Sequence, residues 1–453
     1  MSKFRYFSVL VVVGCVSFGL ALAANLPAGT GDESQKAADI RWFLDRSKQA
    51  AVAIKAPKSQ EGRNCEIAIM QARSGDLEGA KRTASGIENV RLKLIAFCRA
   101  AIMLASVDQT ASAKKAIVFA KEVTAGIEEA SADRSFAEAE MVPAHVAAGE
   151  FAAAMRTTAA MHDLFDRAHA YCCIAYGQAK AGNTAASKEA IGLAKQAATG
   201  IRGKEENVQF LCSVAKVEAE LGDMEAAEEA FGLAKDAASM PADSPDTMGL
   251  QVLAKASTLC YIAQAQAHAG DFSGALRTAA EIEIDSEKAR AYCWIAEAQA
   301  KGGDLAAFRD SIELAKRALV GTKRGLQPKA WVYCWIAEAQ AKAGDITGSK
   351  DSIGLAKRSA TGTAAAEEIA EAQAWAGDIA GAKQTAAAVT VEARKVLAYA
   401  VIAQAQARAG QVEEVKAWVD ALREPEEVVA VCLGAVEGSL PEEGSKATTD
   451  TGM

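Results

Sequence analysis

YCWIAEAQAKGGD, residues 292–304, returns as YCWIAEAQAKAGD at 333–345 and, shortened, as YIAQAQAHAGD at 261–271. Looser copies read CIAYGQAKAGN (173–183), EIAEAQAWAGD (368–378) and VIAQAQARAGQ (401–411). A phrase repeated every few tens of residues marks a stacked helical array, in which each unit buries its apolar face only against its neighbours. The phrase sets an architecture; it names no reaction.

Aligned on the glycine that ends the phrase, the chain has ten anchors: Gly75, Asp108, Gly149, Gly182, Gly222, Gly270, Gly303, Gly344, Gly377 and Gly410. The intervals between them are 33, 41, 33, 40, 48, 33, 41, 33 and 33 residues. Alanine stands seven residues before the anchor in nine units, with Val142 the exception, and again three before it in nine. Residues four, seven or eight, and eleven before the anchor share one helical face. An anchor glycine can take the left-handed conformation that ends a helix. The residue after it is Asp or Asn in seven units (Asp76, Asn183, Asp223, Asp271, Asp304, Asp345 and Asp378) and can cap a second helix. Each unit therefore reads as helix, tight turn, helix.

The second helices are of two kinds. One carries Arg82-Thr83, Arg156-Thr157, Arg277-Thr278 or Gln384-Thr385, and a 33-residue interval follows each. The other carries Ala120-Lys121, Ala194-Lys195, Ala234-Lys235, Ala315-Lys316 or Ala356-Lys357, and 40 to 48 residues follow four of the five. The extra seven or eight residues equal about two helical turns, so a longer second helix is expected there. Pro143 inside a first helix predicts a kink or a late start.

The chain has 453 residues, 51% apolar, 24% charged and only 6% aromatic, which is globular composition suited to close-packed helices. Its formal net charge of −8 argues against a phosphate-backbone partner, so no nucleic acid is expected. Residues 1–23 read as an export signal: Lys3 and Arg5, an apolar run from Phe7, then Ala21-Leu22-Ala23 at a cleavage site. Val12-Val13-Gly14-Cys15 also resembles a bacterial lipobox, and an uncleaved anchor over residues 7–24 is a further alternative. Apart from that segment no stretch is apolar enough to span a membrane, which places the mature chain in the periplasm or outside the cell. The expected organisation is a signal at 1–23, a capping helix and linker at 24–59, and repeats at 60–238. A Pro-containing loop at 239–247 precedes further repeats with a terminal capping helix at 248–441, and a disordered tail occupies 442–453.

Ten cysteines in an exported chain suggest disulfides, but the period argues otherwise. Cys65, Cys98, Cys172, Cys212, Cys260, Cys293 and Cys334 each lie ten residues before an anchor. Equivalent residues on stacked helices are roughly 8–10 Å apart, beyond the ~7 Å Cα separation a disulfide tolerates. Free buried thiols are expected. The four histidines have no partner at metal-ligand spacing, and neither a nucleophile elbow nor a phosphate loop is present. The chain is read as a non-enzyme with no cofactor and no metal.

A helix–turn–helix of this length with Gly-Asp at the turn resembles the tetratricopeptide repeat. Tyr292-Ile295-Ala296 and Tyr333-Ile336-Ala337 match the first helix of that family, and Ser187-Ile191-Ala194 and Ser349-Ile353-Ala356 the second. The match covers most of 60–440; it departs in lacking the usual tyrosine before the turn, a proline at most unit ends, and a constant length. The resemblance implies an all-α, right-handed solenoid of about ten repeats with a concave groove lined by first helices. It implies binding of a protein or peptide. Positions matching Cys293, Glu297 and Lys301 face the groove in that family, which by alignment adds Arg290, Trp331, Glu338, Lys342, Glu371, Trp375 and Arg408. The plain alternatives are solvated helix pairs for Glu297–Lys301 and Glu338–Lys342, worth about 0.3–0.5 kcal/mol, and packing between units for Trp331 and Trp375. The expected function is that of an exported scaffold binding a protein or peptide through roughly residues 255–410. A binder of a small ligand or cell-envelope fragment is the alternative, and a hydrolase or redox enzyme is disfavoured.

Overall fold

The structure is a computed structural model that describes residues 33–128, 131–199, 201, 204–239, 248–320, 329–360 and 365–440. The export signal expected at 1–23 and the tail at 442–453 lie outside the described residues, as does the loop at 239–247 apart from Ser239. The described residues form 22 α-helices and no strand, so the protein is an all-α array of helix–turn–helix repeats, as the period requires. They fall into two compact units, residues 151–398 and residues 1–150 together with 399–453.

In the discontinuous unit the helices are α1 (Glu33–Val52), α2 (Pro57–Arg73), α3 (Leu77–Ser85), α4 (Val90–Ser106), α5 (Thr110–Ala125) and α6 (Ala132–Ala147). The contiguous unit holds α7 (Phe151–Ala160), α8 (Leu164–Lys180), α9 (Thr184–Ala198), α10 (Lys204–Glu220), α11 (Met224–Ser239), α12 (Met248–His268) and α13 (Phe272–Ala280). It continues through α14 (Asp285–Lys301), α15 (Leu305–Ala318), α16 (Lys329–Lys342), α17 (Ile346–Ser359), α18 (Ala366–Trp375) and α19 (Ile379–Ala387). The unit boundary falls inside α20 (Glu392–Arg408), and α21 (Val412–Ala421) and α22 (Pro425–Ser439) end the discontinuous unit.

All ten anchors have positive φ, from 59° at Asp108 to 91° at Gly75, and no other described residue does. The same pair of bonds closes every first helix: Asp76 N donates to Gln71 O at 2.8 Å and Gly75 N to Ala72 O at 2.9 Å, with equivalents through Gln411 N to Gln406 O at 3.1 Å. This is a Schellman ending, which satisfies carbonyls the helix leaves open. Six of the seven expected caps form; Asp345 Oδ1, for example, accepts from Gly348 N at 2.9 Å, while Asn183 makes no side-chain cap.

A buried polar lock joins the two helices across the turn. The glutamine four before the anchor accepts from a hydroxyl eight after it: Thr83 to Gln71, Thr278 to Gln266 and Thr385 to Gln373 at 2.7 Å. Ser311 to Gln299 and Ser352 to Gln340 repeat the bond at 2.7 and 2.6 Å. The threonine that marks the short second helices is thus a lock residue in three of the four; at Thr157 the residue four before the anchor is His145, which bonds Glu150 instead. Gln340 also donates to Asp345 at 3.0 Å, through space that only glycine leaves open: a Cβ on Gly348 would lie 2.1 Å from Asp345 and 2.2 Å from Gln340. Where the eighth residue is Ala190 or Trp418, Gln178 and Gln406 keep a buried Oε1 with no partner.

Second-helix lengths follow the two sequence types. The Thr-marked helices α3, α7, α13 and α19 have 9 or 10 residues, and the Ala-Lys helices have 14 to 16. The Ala356-Lys357 helix α17 is long although its interval is only 33, because the first helix that follows, α18, is cut to 10 residues. Helix α6 runs through Pro143 and starts at Ala132, 17 residues before its anchor, so the proline causes no late start.

Nine described cysteines are free, and all but Cys173 are buried. Cys65 Sγ donates to Leu92 O and Cys260 Sγ to Glu287 O, each at 3.4 Å and each 27 residues on, in the next first helix. In these two units the repeated thiol thus both packs and stitches adjacent first helices. Burial pushes the thiols of Cys65, Cys212 and Cys260 up to about 12, which keeps them unreactive.

The first and last described helices meet in the discontinuous unit, where α1 lies along α22. Phe43 and Leu44 are buried, Lys416 Nζ pairs with Asp39 at 2.7 Å, and Arg46 pairs with Asp420 at 3.2 Å. Arg73 pairs with Glu437. Buried Ile40, Phe43, Leu44 and Ser47 of α1 are spaced like Ser187, Ala190, Ile191 and Ala194 of α9, so α1 has the buried pattern of a second helix. Helix α22 passes so close to α20 that a Cβ on Gly434 would lie 2.1 Å from Ala400 O.

Candidate functional site

Positions 13, 9, 6 and 2 before an anchor are separated by four, three and four residues and form one stripe along a first helix. In the contiguous unit that stripe is charged and aromatic. Helix α14 carries Arg290, Trp294, Glu297 and Lys301 there, and α16 carries Trp331, Trp335, Glu338 and Lys342. Glu368, Glu371 and Trp375 continue it on α18, and successive first helices from α10 to α18 pack on one another.

The α16–α18 end is acidic. Lys342 pairs with Glu338 at 2.6 Å and lies 5.5 Å from the centre of the Trp375 ring. Half-buried Glu371 has its pKa raised to about 8, first by burial and then by the charges of Glu338, Glu367 and Glu368, against which Lys342 alone works. Burial and Glu338 also raise Glu297, opposed by Lys342 and Lys301. Arg394 reaches Glu367 at 3.4 Å and Glu368 at 4.0 Å, and sits 5.6 Å from the Trp331 ring.

The α10–α12 end carries Lys216, Tyr261 and His268, with the exposed carboxylate of Glu220 at the last offset of α10. Lys216 of α10 is half-buried, and its Nζ lies 5.7 Å from the ring of Tyr261. Burial lowers its pKa, and among the described residues no carboxylate lies within ion-pair distance of it. His268 on α12 is lowered to about 4 by desolvation and by the positive charges of Lys216 and Lys301. It is therefore neutral at pH 7.

Eight of the nine residues expected in the groove belong to this unit; Arg408 belongs to the other. Glu297, Glu338, Lys342, Glu371 and Trp375 come together in one electrostatic cluster. Lys301 is exposed and makes no ion pair with Glu297, whereas the equivalent Lys342–Glu338 pair does form. Arg290 is engaged within the fold: it pairs with Glu287, donates to Cys260 Sγ at 3.5 Å and stacks 5.0 Å from the Trp294 ring. Trp331 packs on the apolar cluster of Cys334, Ile353 and Ile369, which is the packing role weighed for it above.

Lys216, Tyr261, Trp294 and Trp335 were not among the expected groove residues. The same four offsets, counted back from every anchor instead of only the most regular units, mark all of them. Among the described residues no group of three or more His, Cys, Asp and Glu is arranged to hold a metal, and no helix is long and apolar enough to cross a membrane.

No protein-family model matches the chain, and no curated protein matches it. Among solved structures it is similar to Ton1535 from Thermococcus onnurineus NA1, at 15% identity and a TM-score of 0.34, over 82% of this chain and 98% of that one. It is also similar to yeast Tom70, at 13% identity and a TM-score of 0.28, over 90% of this chain and 96% of that one. Superpositions this loose carry nothing about function, and the fold assignment stands on the helices and turns of this chain.

Proposed function

We propose that this protein is a non-enzymatic helical-repeat scaffold that binds a protein or peptide along the first helices of its contiguous unit, from α12 to α18. The observation that supports this most is the division of labour along each first helix. The offsets occupied by alanine, cysteine and glutamine hold the frame, while the stripe at 13, 9, 6 and 2 varies and carries charge and tryptophan. Aromatic side chains beside ionic groups on a rigid surface are common anchors of interfaces. Glu338, Lys342, Glu371 and Trp375 form the centre of the proposed surface.

The test is a pull-down from the native source with the wild-type chain and with Trp375→Ala combined with Glu338→Lys. Loss of the partners that the wild type retains is expected; an unchanged set of partners sinks the assignment. We further propose that the chain acts after export, a reading supported by residues 1–23 alone. Sequencing the amino terminus of the protein from its own cell should find it starting at Ala24 or Asn25.

A further inference from the structure

The two ends of the charged stripe are short of opposite kinds of counter-charge. At one end, the Lys216 ammonium is half-buried beside Tyr261 with no carboxylate partner among the described residues, and Lys301 adds a second cation near His268. A buried charge without a partner is costly, so this end favours an arriving anion. At the other end, Glu338, Glu367, Glu368 and Glu371 outnumber Lys342 and Arg394, so Glu371 keeps a proton that an arriving cation would displace. That end favours an arriving cation.

We propose that the stripe docks an extended peptide segment of opposite charge at its two ends. The carboxylate-bearing end lies at Lys216, His268 and Lys301, and the lysine- or arginine-bearing end at Glu338, Glu371 and Trp375. This rests on the docking surface proposed above and specifies what it takes. The spacing sets the length. From His268 on α12, which feels the charge of Lys216, to Trp375 on α18 there are three steps between neighbouring first helices, each about 8–10 Å, so the span is roughly 25–30 Å. An extended chain advances about 3.3 Å per residue, which gives a segment of roughly eight or nine residues. A free amino acid or a small inorganic ion cannot bridge that distance.

The experiment is fluorescence anisotropy with labelled nine-residue peptides on the intact protein. Two peptides carry Asp-Asp and Arg-Arg at opposite ends of a Gly/Ser spacer, in either order. The comparisons are a scrambled peptide of the same composition, an all-acidic one and an all-basic one. One of the end-charged orders should bind on the order of tenfold more tightly than the scramble. Lys216→Met should abolish that preference while leaving binding of the all-basic peptide intact, and Glu371→Gln should do the reverse for the all-acidic peptide. In an NMR titration, the tight peptide should move the His268 pKa upward from about 4, because a bound carboxylate favours the imidazolium. A folding defect in a variant would not mimic that shift in the wild type.

Equal affinity for scrambled and end-charged peptides overturns the proposal, as does a single-sign peptide binding as tightly as the two-ended one, or a His268 titration that does not move. If the peptides show no preference while Trp375→Ala with Glu338→Lys still loses the native partners, the docking surface stands and only the charge assignment falls. If neither responds, both fall.

Discussion

The two units share a frame and differ in what the first helices present on the stripe. In the discontinuous unit, α4 and α6 present Ile95, Ile102 and Phe136, which pack on the core, and the charges at the same offsets include buried Arg73, paired with Glu437, and buried Glu140, which feels the charge of Arg99. In the contiguous unit the same offsets carry Glu297, Glu338, Glu371, Lys301, Lys342 and four tryptophans. The left-handed anchor and the Schellman ending are alike in both, and the Gln–hydroxyl lock occurs in both. The difference separates residues that build a repeat from residues that the repeat displays.

That separation can be broken by mutation. The largest effect is expected where the chain ends meet: Phe43→Ala leaves a cavity against α22 and should cost about 3–5 kcal/mol. Hydrogen exchange should register the loss in α1, α2 and α22 and spare α14 to α18. A comparable loss of protection in the contiguous unit would show that the two are not energetically separate.

Frame changes of the same kind should cost alike in either unit. Ser352→Ala and Thr83→Ala each leave a glutamine oxygen buried without its donor, at about 1–3 kcal/mol. Urea denaturation followed by circular dichroism would check this, and widely different costs would mean that the lock is not interchangeable.

Displayed residues should behave differently. Glu371 has a folded-state pKa of about 8 against 4.5 unfolded. A raised carboxyl pKa means that the folded state holds the proton, so stability falls as pH rises from 4.5 through 8. Glu371→Gln should therefore be neutral near pH 4, gain on the wild type progressively between pH 4.5 and 8, and keep that gain above pH 8, seen as a melting-temperature difference absent at pH 4, present at pH 7 and full at pH 9. Glu140, at about 7, has Arg99 as an opposing charge, so Glu140→Gln should gain less, if anything. The smallest effect is a repair: Ala190→Ser places a hydroxyl where Ser311 and Ser352 stand in their units, facing the unpartnered Gln178 oxygen. A gain of roughly 0.5–1.5 kcal/mol is expected by thermal denaturation.

Much of the frame was legible because each of its residues answers to a local requirement that recurs. Each first helix here ends in a left-handed residue, so nine glycines carry the period, and at the tenth Asp108 adopts φ 59°, which Asp tolerates better than most side chains. The cysteines were legible as packing residues because they keep the period. The reason for the threonine signature was not, since it lies in a bond between residues 12 apart that faces the interior. The pairing of α1 with α21 and α22 was not legible either: contacts such as Arg46 with Asp420, 374 residues apart, have no second copy in the chain to reveal them. At the candidate site, the alignment found the acidic end. It passed over Lys216 and Tyr261, whose units lack the full phrase although their offsets are the same.

The meeting of the chain ends also sets a clock. Arg46 and Asp420 are 374 residues apart, and at about 5–20 residues per second of synthesis the wait between them is roughly 20–75 s. Throughout that time Phe43 and Leu44 are without the helix that buries them, whereas the 151–398 unit is contiguous and can fold as it emerges. Helix α1 is thus made long before it is secured, and whatever keeps its apolar face from associating with other chains must act before Pro425 is added.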